Sequence, residues 1–501
     1  MSPNTSRPRT STRRPCSLPP PDSPPPRVTP PRAPRRKPHT NPIHKPSTLI
    51  HSDKTMERYI AALEISSSKI IGAVGRMTPA GKLDVLAIRQ EQCSDCVRYG
   101  IVQNVEETFA RISRVIASLE QDKAVLPNKI SGVFIGLSGR SLHSIEANVE
   151  LNLGEETVIG PDTVARLRTQ AETRAIDSSL SVIDAVPRLF TVGNTKTTEP
   201  IGNLGSSIKA TYDLIACRAQ LKKNIERIDL GKRLDINTLG FIVTPLAAGN
   251  LIPSTEEKRR GCMLVDIGAE TTSVIIYKDG SLRYFNTLPL GSRCITHDIT
   301  STGMFEENAE TYKIQSGNAM PPETAANLRI HDIDTKEINR CIVGRAEEIA
   351  INILEQAKYA GIKDSDLPGG IILIGGGSLL NNLCELMQDI SKLPARRGQL
   401  PASVETSGKS PDFNALEVIS VLHTAATHSE AQCITAAQEQ ELPINSTTGG
   451  ELPLSGGHRD DTRKGTERKP GRKRSKNKFS KWFGKIGDML TPGDDEDDEL
   501  S

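Results

Sequence analysis

No run in this 501-residue chain approaches the ~18–20 consecutive apolar residues of a membrane-spanning helix, so no helical span is expected. Aromatic residues are scarce, at 3%, with a single tryptophan, Trp482. The net charge of +2 supplies no global basic field, and nucleic acid is not an expected partner. Residues 1–55 are basic but lack the apolar core of a secretory signal, so none is expected there. Nine cysteines are scattered along the chain, and only Cys93 and Cys96 form a C-x-x-C pair. No second pair completes a four-ligand zinc site. Reduced thiols are the expected state, with a redox role as the weaker alternative.

What is present divides into segments. The length suffices for two or three domains, and 36% apolar with 25% charged residues suits a soluble protein carrying some disordered stretches. Residues 1–55, rich in Pro, Arg, Ser and Thr, bury too little apolar surface to offset their ordering entropy and are expected to be disordered. A start at Met56, where Met56-Glu57-Arg58 leads into the first strand, accounts for them at least as well; a short basic targeting tail is a third account. From Tyr59, strands are expected over Tyr59–Leu63, Lys69–Gly75 and Leu83–Gln90, then an amphipathic helix over Val105–Leu119 and a strand over Ile130–Leu137. Val164–Thr173 reads as helix, Ser181–Val192 and Ile208–Arg218 as extended, Leu221–Ile228 as helix and Gly240–Val243 as strand. The pattern then restarts with strands at Gly261–Asp266, Thr272–Lys278 and Gly280–Thr287. Helices follow at Ile295–Ser301, Glu306–Ser316 and Glu337–Ala360. A buried strand, Gly370–Ile374, leads through three glycines to a helix over Leu379–Ile390, and Ala415–Thr424 closes the unit. Two strand-meander-plus-helix lobes imply a duplicated α/β architecture.

Each lobe opens on a hairpin with a small, polar turn: Glu64-Ile65-Ser66-Ser67-Ser68-Lys69 in the first, Asp266-Ile267-Gly268-Ala269-Glu270-Thr271-Thr272 in the second. Such turns let backbone N–H groups converge on phosphate oxygens. Ser67, Ser68, Thr271 and Thr272 add hydroxyls and Lys69 a cation, while Glu64 and Asp266 can hold a hydrated magnesium ion or orient an attacking water. The run Gly375-Gly376-Gly377-Ser378 after a buried strand allows close backbone approach to a ligand, and the helix expected there offers its N-terminus to a nucleoside or phosphate. Glu310 and Lys313 share a helical face and are placed to flank a ribose or base. Each feature alone is more often a plain turn, loop or solvated helix face; their order and spacing together carry the reading.

Residues 425–477 are rich in Gly, Ser, Thr, Gln and charge and are expected to form a flexible linker. On a helix over 478–490, Phe479, Trp482, Phe483, Ile486, Met489 and Leu490 fall within an arc of about 120°. Lys478, Lys481 and Lys485 flank that arc, and a basic stretch from Arg463 to Lys476 precedes it. This suits a helix lying in a lipid interface, each basic residue near an anionic surface being worth ~1 kcal/mol. Packing on a domain and nucleic-acid binding are the competing readings; the aromatics clustered on one face favour lipid. An acidic tail, 491–501, ends the chain.

The stretches Ala62–Ile70, Val133–Gly139, Leu264–Gly268, Leu288–Ser292, Ile295–Ile299, the Glu310/Lys313 pair and Gly370–Ser378 resemble the actin, Hsp70 and sugar kinase ATPase superfamily. More closely, they resemble the FtsA family of bacterial division proteins, over roughly residues 57–424. The resemblance implies a two-lobe actin-like ATPase fold with an inserted FtsA-type extra subdomain over 128–218. The first lobe is then 57–127 with 219–260, and the second is 261–424, its smaller subdomain about 294–345. ATP and Mg2+ are implied between the lobes. Further implied are self-association into dimers or filaments, contact with FtsZ and other divisome proteins, and attachment to anionic lipid through 478–490. The implied place is the cytoplasmic face of the inner membrane at the division septum. Three departures stand out. Ser66 occupies a position usually glycine, where its Cβ is expected to crowd the phosphates. The second turn usually carries glycine near Glu270 and aspartate near Ser273. Glu270 adds a negative charge beside the phosphates or helps hold magnesium. Binding is therefore a firmer expectation than hydrolysis. A small-molecule kinase or active ATPase, and a pilus-assembly relative, are the alternatives.

Overall fold

A computed structural model describes residues 58–435, except Ser94, Ala175, 322–328, 331–332 and 407–412; of Arg329 and Ile330 only the backbone is described. The expected leader, membrane helix and acidic tail lie outside the described residues. Among these residues no helix is long and apolar enough to cross a membrane.

Two sheets organise the chain. The first has six strands in the order Asn237–Val243, Gly132–Leu137, Tyr59–Ile65, Lys69–Met77, Leu83–Gln92 and Val404–Thr406. Tyr59–Ile65 and Lys69–Met77 pair antiparallel, whereas Tyr59–Ile65 runs parallel to Gly132–Leu137. The second sheet repeats the plan with Cys262–Ile267, Thr272–Lys278 and Ser281–Leu288 as its meander and Ile371–Ile374 as the parallel neighbour of Cys262–Ile267. Side chains alternate along the Cys262–Ile267 strand: Cys262 and Leu264 join the core shared with the first lobe, while Met263, Val265 and Ile267 face the second-lobe helices. That alternation is the period-2 geometry of a strand buried on both faces. The Val105–Glu120 helix buries Ile112, Val115, Ile116 and Leu119 and is N-capped by Asn104, whose side chain accepts from Glu107 N.

No expectation attached to His143–Val158, which forms a 16-residue strand. Its Ala147 and Val149 are buried in a separate small core with Phe190, Ile208 and Tyr212, under the Pro161–Glu172 helix. This strand pairs with Leu204–Arg218, which pairs in turn with Leu180–Val192. Together they extend the second sheet through the single pairing of Asn286 with His143. The closing helix, Leu416–His428, is reached from the second lobe but packs in the first-lobe core with Ile60, Leu63 and Leu246. It runs past its expected end because Ala425 and Ala426 are buried there. Ile434–Thr435 then pairs with Lys129–Ile130, so ordered chain reaches into the segment expected as linker. Cys93 and Cys96 are buried and bonded to each other, in place of the reduced pair expected.

Candidate functional site

The two hairpin turns face one another across a cavity of about 340 Å³. In the first, Ser66 N and Ser66 Oγ both donate to Lys69 O, at 3.0 and 2.9 Å. The Ser66 hydroxyl is therefore engaged inside its own turn, which answers the expected crowding in part: its oxygen is drawn to the turn's own carbonyl. In the second, Gly268 N donates to Thr271 O at 2.8 Å. That turn is braced from behind, since Ser292 N donates to Gly268 O and Arg293 N to Ala269 O, at 2.9 and 2.7 Å. A Cβ on Gly291 would stand 2.6 Å from Ala269 O, so only glycine lets the two backbones lie this close.

The third element differs from expectation. After Ile371–Ile374 the chain forms a single 3-10 turn, Gly376–Leu379, and the α-helix begins only at Leu383. Asn382 lies in the left-handed region and separates the two. No α-helical N-terminus therefore points at the cavity from Ser378; bare backbone at Gly376 and Gly377 lines it instead. Gly375 sits behind, at φ +80. The Ser378 hydroxyl donates to Gly375 O at 2.7 Å, and that of Thr272 to Leu290 O at 2.6 Å. Both hydroxyls are engaged by backbone and do not line the cavity. Ser66, Ser67, Ser68, Lys69, Gly268, Ala269, Thr271, Glu310 and Lys313 all do.

At the closed end stand Glu64 and Asp266, joined by a carboxylate that sequence reading missed, Glu417. Burial and the neighbouring Glu417 and Asp266 hold the Glu64 carboxyl well above the ordinary carboxylate range, although Lys69 opposes this. Burial and Glu417 raise Asp266 as well, again against Lys69. Lys69 Nζ also donates to the backbone oxygen of Asn414. Glu64 Oε2 is buried with no hydrogen-bond partner among the described residues.

Glu310 and Lys313 come together as expected on the Glu306–Ser316 helix. Lys313 Nζ donates to Glu310 Oε2 at 2.7 Å, to Thr296 Oγ1 at 2.8 Å and to Ser292 O at 3.2 Å. Burial holds the Lys313 ammonium below its usual range, with Glu310 opposing. Beside the pair the cavity turns apolar, through Ile295, Ile314, Leu379 and Leu380. Ile314 is 70% exposed.

Glu270 is 4% exposed and is held on three sides. Tyr99 N donates to its Oε2 at 2.5 Å; Arg293 Nη1 and Arg98 Nε each lie 2.6 Å from Oε1. It is thus neutralised by two guanidiniums, which leaves it poorly placed to add charge or hold magnesium. Arg98 and Tyr99 belong to a small hairpin, Val97–Arg98 with Ile101–Val102, turned by Tyr99 and Gly100 at positive φ. Gly100 N donates to Ser67 Oγ at 3.0 Å. A Cβ on Gly100 would stand 2.1 Å from Ser138 O, so this tip needs glycine. A two-residue turn ending in Gly between β-branched residues was the signal for this hairpin.

Comparison with known proteins agrees with this architecture. Residues 263–416 match the family model described as "Cell division protein FtsA", and residues 139–216 match "SHS2 domain inserted in FTSA". The chain is 29% identical to cell division protein FtsA of Porphyromonas gingivalis, covering 67% of this chain and 71% of that one. It is 26% identical to FtsA of Borreliella burgdorferi, covering 78% and 97%, and 23% identical to FtsA of Escherichia coli, covering 69% and 84%. Among solved structures, a PilM–PilN type IV pilus biogenesis complex aligns at a TM-score of 0.53 and 17% identity, over 74% of this chain and 99% of that one; at that identity the likeness is one of fold. With an actin-like ATPase fold, an inserted SHS2 subdomain and division proteins as its relatives, this chain is similar over most of its length to the FtsA family of actin-like bacterial cell division proteins.

Proposed function

We propose that this division protein binds ATP with magnesium in the cleft and acts as a nucleotide-gated scaffold. It joins FtsZ and other divisome proteins to anionic lipid on the cytoplasmic face of the membrane at the septum, and it self-associates into dimers or filaments. The observation that carries the nucleotide half is the convergence of two small-residue turns, Ser66–Ser68 and Gly268–Thr271, with Lys69 on one cavity. Backbone N–H groups and one lysine suit phosphates; bare Gly376 and Gly377 with Ile314 and Leu379 suit a nucleoside. The residues also fit magnesium. Glu64 Oε2 is a buried oxygen without a hydrogen-bond partner among the described residues, and Asp266 and Glu417 line the same cavity. Among the described residues no three side chains are gathered as a ready metal cage. That agrees with an ion that keeps most of its waters and is held mainly through them and the phosphates. When bound, the ion screens phosphate charge; Glu64 and Asp266 position the water around it.

The scaffold half rests on the likeness to FtsA and on the aromatic and basic pattern of 478–490. Binding is the part of this reading that the two turns and Lys69 support; turnover would need Glu64 or Asp266 to orient an attacking water. The test is flotation of the full chain with vesicles containing anionic lipid. The unaltered chain floats, and Trp482→Glu with Phe483→Glu leaves it at the bottom of the gradient. Flotation of the double variant would overturn the tether. Localisation of the tagged chain in dividing cells tests the septal role; a diffuse or polar distribution would count against it.

A further inference from the structure

Glu270 is an acid buried beside a cavity proposed to take phosphates, and groups from both lobes hold it in place. Arg98 and Tyr99 come from the first lobe, Arg293 from the second, and Arg293 Nη2 also donates to Ser67 O in the first turn at 3.1 Å. Two guanidiniums and one backbone N–H thus converge on a single carboxylate at the lip of the phosphate turns. One carboxylate balances only one of the two positive charges. A terminal phosphate carries close to two negative charges near pH 7 and three acceptor oxygens, which match two arginine forks and an amide better than a carboxylate does.

We infer that Arg98 and Arg293 form an anion seat in which Glu270 is the resident placeholder, and that the terminal phosphate of a nucleoside triphosphate displaces it. The inference rests on the nucleotide reading and deepens it by naming what reads the third phosphate. Arg293 keeps its bond to Ser67 O when Glu270 leaves, so the guanidinium stays beside the first turn. A diphosphate ends short of the seat, leaves Glu270 in place and keeps the lobes clasped through it. A triphosphate exchanges that internal clasp for one made through the ligand. The seat makes this acid in a phosphate turn a device for telling the two nucleotides apart.

The experiment is isothermal titration of the full chain with ATP and with ADP, each with magnesium, for the unaltered protein, Glu270→Gln and Arg98→Gln/Arg293→Gln. Removing the placeholder should tighten ATP by about tenfold and ADP by less than about threefold, the scale of one charge-assisted hydrogen bond. Removing both arginines should weaken ATP by about tenfold or more, with ADP again nearly unmoved. Arg98→Lys/Arg293→Lys, which keeps both charges, should recover part of the preference, and a cooperative thermal transition in each variant shows that it is folded. Equal shifts for ATP and ADP, or an unchanged ratio, would overturn the seat and leave Glu270 a plain interlobe clasp. If the unaltered protein binds neither nucleotide, the nucleotide reading falls and takes the seat with it. If it binds both and only the ratio fails to respond, the seat alone falls.

Discussion

Gly375 passes so close to Asp266 that a Cβ on it would stand 2.5 Å from Asp266 Oδ1 and 2.5 Å from Ile267 O. Its φ of +80 is also one that side-chain-bearing residues rarely adopt. The glycine lets the chain leave the Ile371–Ile374 strand while Asp266 keeps its place beside it. Gly375→Ala should destabilise the protein by about 2–4 kcal/mol, from left-handed strain plus overpacking. It should also weaken nucleotide binding. Urea unfolding and nucleotide titration check the two effects. Gly376→Ala, whose Cβ would meet only Asn414 Oδ1 at 3.8 Å, should cost far less stability.

In the inserted subdomain, Arg188 forms a forked pair with Asp213, which is 1% exposed. Burial raises the Asp213 carboxyl, and Arg188 counters it. Arg188→Ala should destabilise by about 3 kcal/mol, because it leaves a buried acid without its cation. Replacing both, Arg188→Met with Asp213→Leu, should restore much of that loss. A double variant no more stable than Arg188→Ala in urea unfolding would contradict this account.

Lys313 is the buried partner of its pair, while the Glu310 side chain remains 44% exposed. Removing either member therefore has unequal consequences. Glu310→Ala leaves a buried ammonium short of its carboxylate and should cost about 1–3 kcal/mol. Lys313→Met fills similar volume and leaves a carboxylate that water can reach, so its cost should stay under about 1 kcal/mol. Both should weaken nucleotide binding. Chemical denaturation of the two variants checks the order.

The elements that frame the cleft were legible because they are short, strongly apolar and punctuated. Tyr59–Ile65 and Lys69–Met77 bury nearly every position, and three serines mark the turn between them. Glu310 and Lys313 were legible because helical spacing alone places them together. The rest depended on where hydroxyls and charges find partners. Thr272 and Ser378 have the chemistry of phosphate ligands, yet nearby carbonyls claim both. Glu417 sits in a run that reads as an apolar closing helix, and only the return of that helix to the first-lobe core brings its carboxylate to Glu64. Glu270 was visible as an odd acid in a phosphate turn, but its two arginines come from segments far apart in the chain. The strand from His143 did carry a local signal, the alternation of Ile145, Ala147, Val149, Leu151 and Leu153. Polar residues between them and a run of acids at its end masked it.

Glu417 sets a pH dependence whose sign can be worked out. Burial and Glu417 raise both Glu64 and Asp266, the latter to about 8. In the unfolded chain both acids titrate near ~4. Below that value both states are protonated, and the cluster's contribution to stability is full. As pH rises, the unfolded chain ionises first, so that contribution is lost progressively until the folded acids ionise in turn. Glu417→Gln removes one buried acid and its repulsion, lowering the folded values of the other two. Each unit by which Asp266 falls returns about 1.4 kcal/mol once the pH exceeds both values. Glu417→Gln should therefore raise the thermal midpoint of the ligand-free protein at pH 7.5 to 8 and leave it nearly unchanged at pH 4. The same gain at both pH values would show that the change acts through packing and not through the shared charge of the three acids.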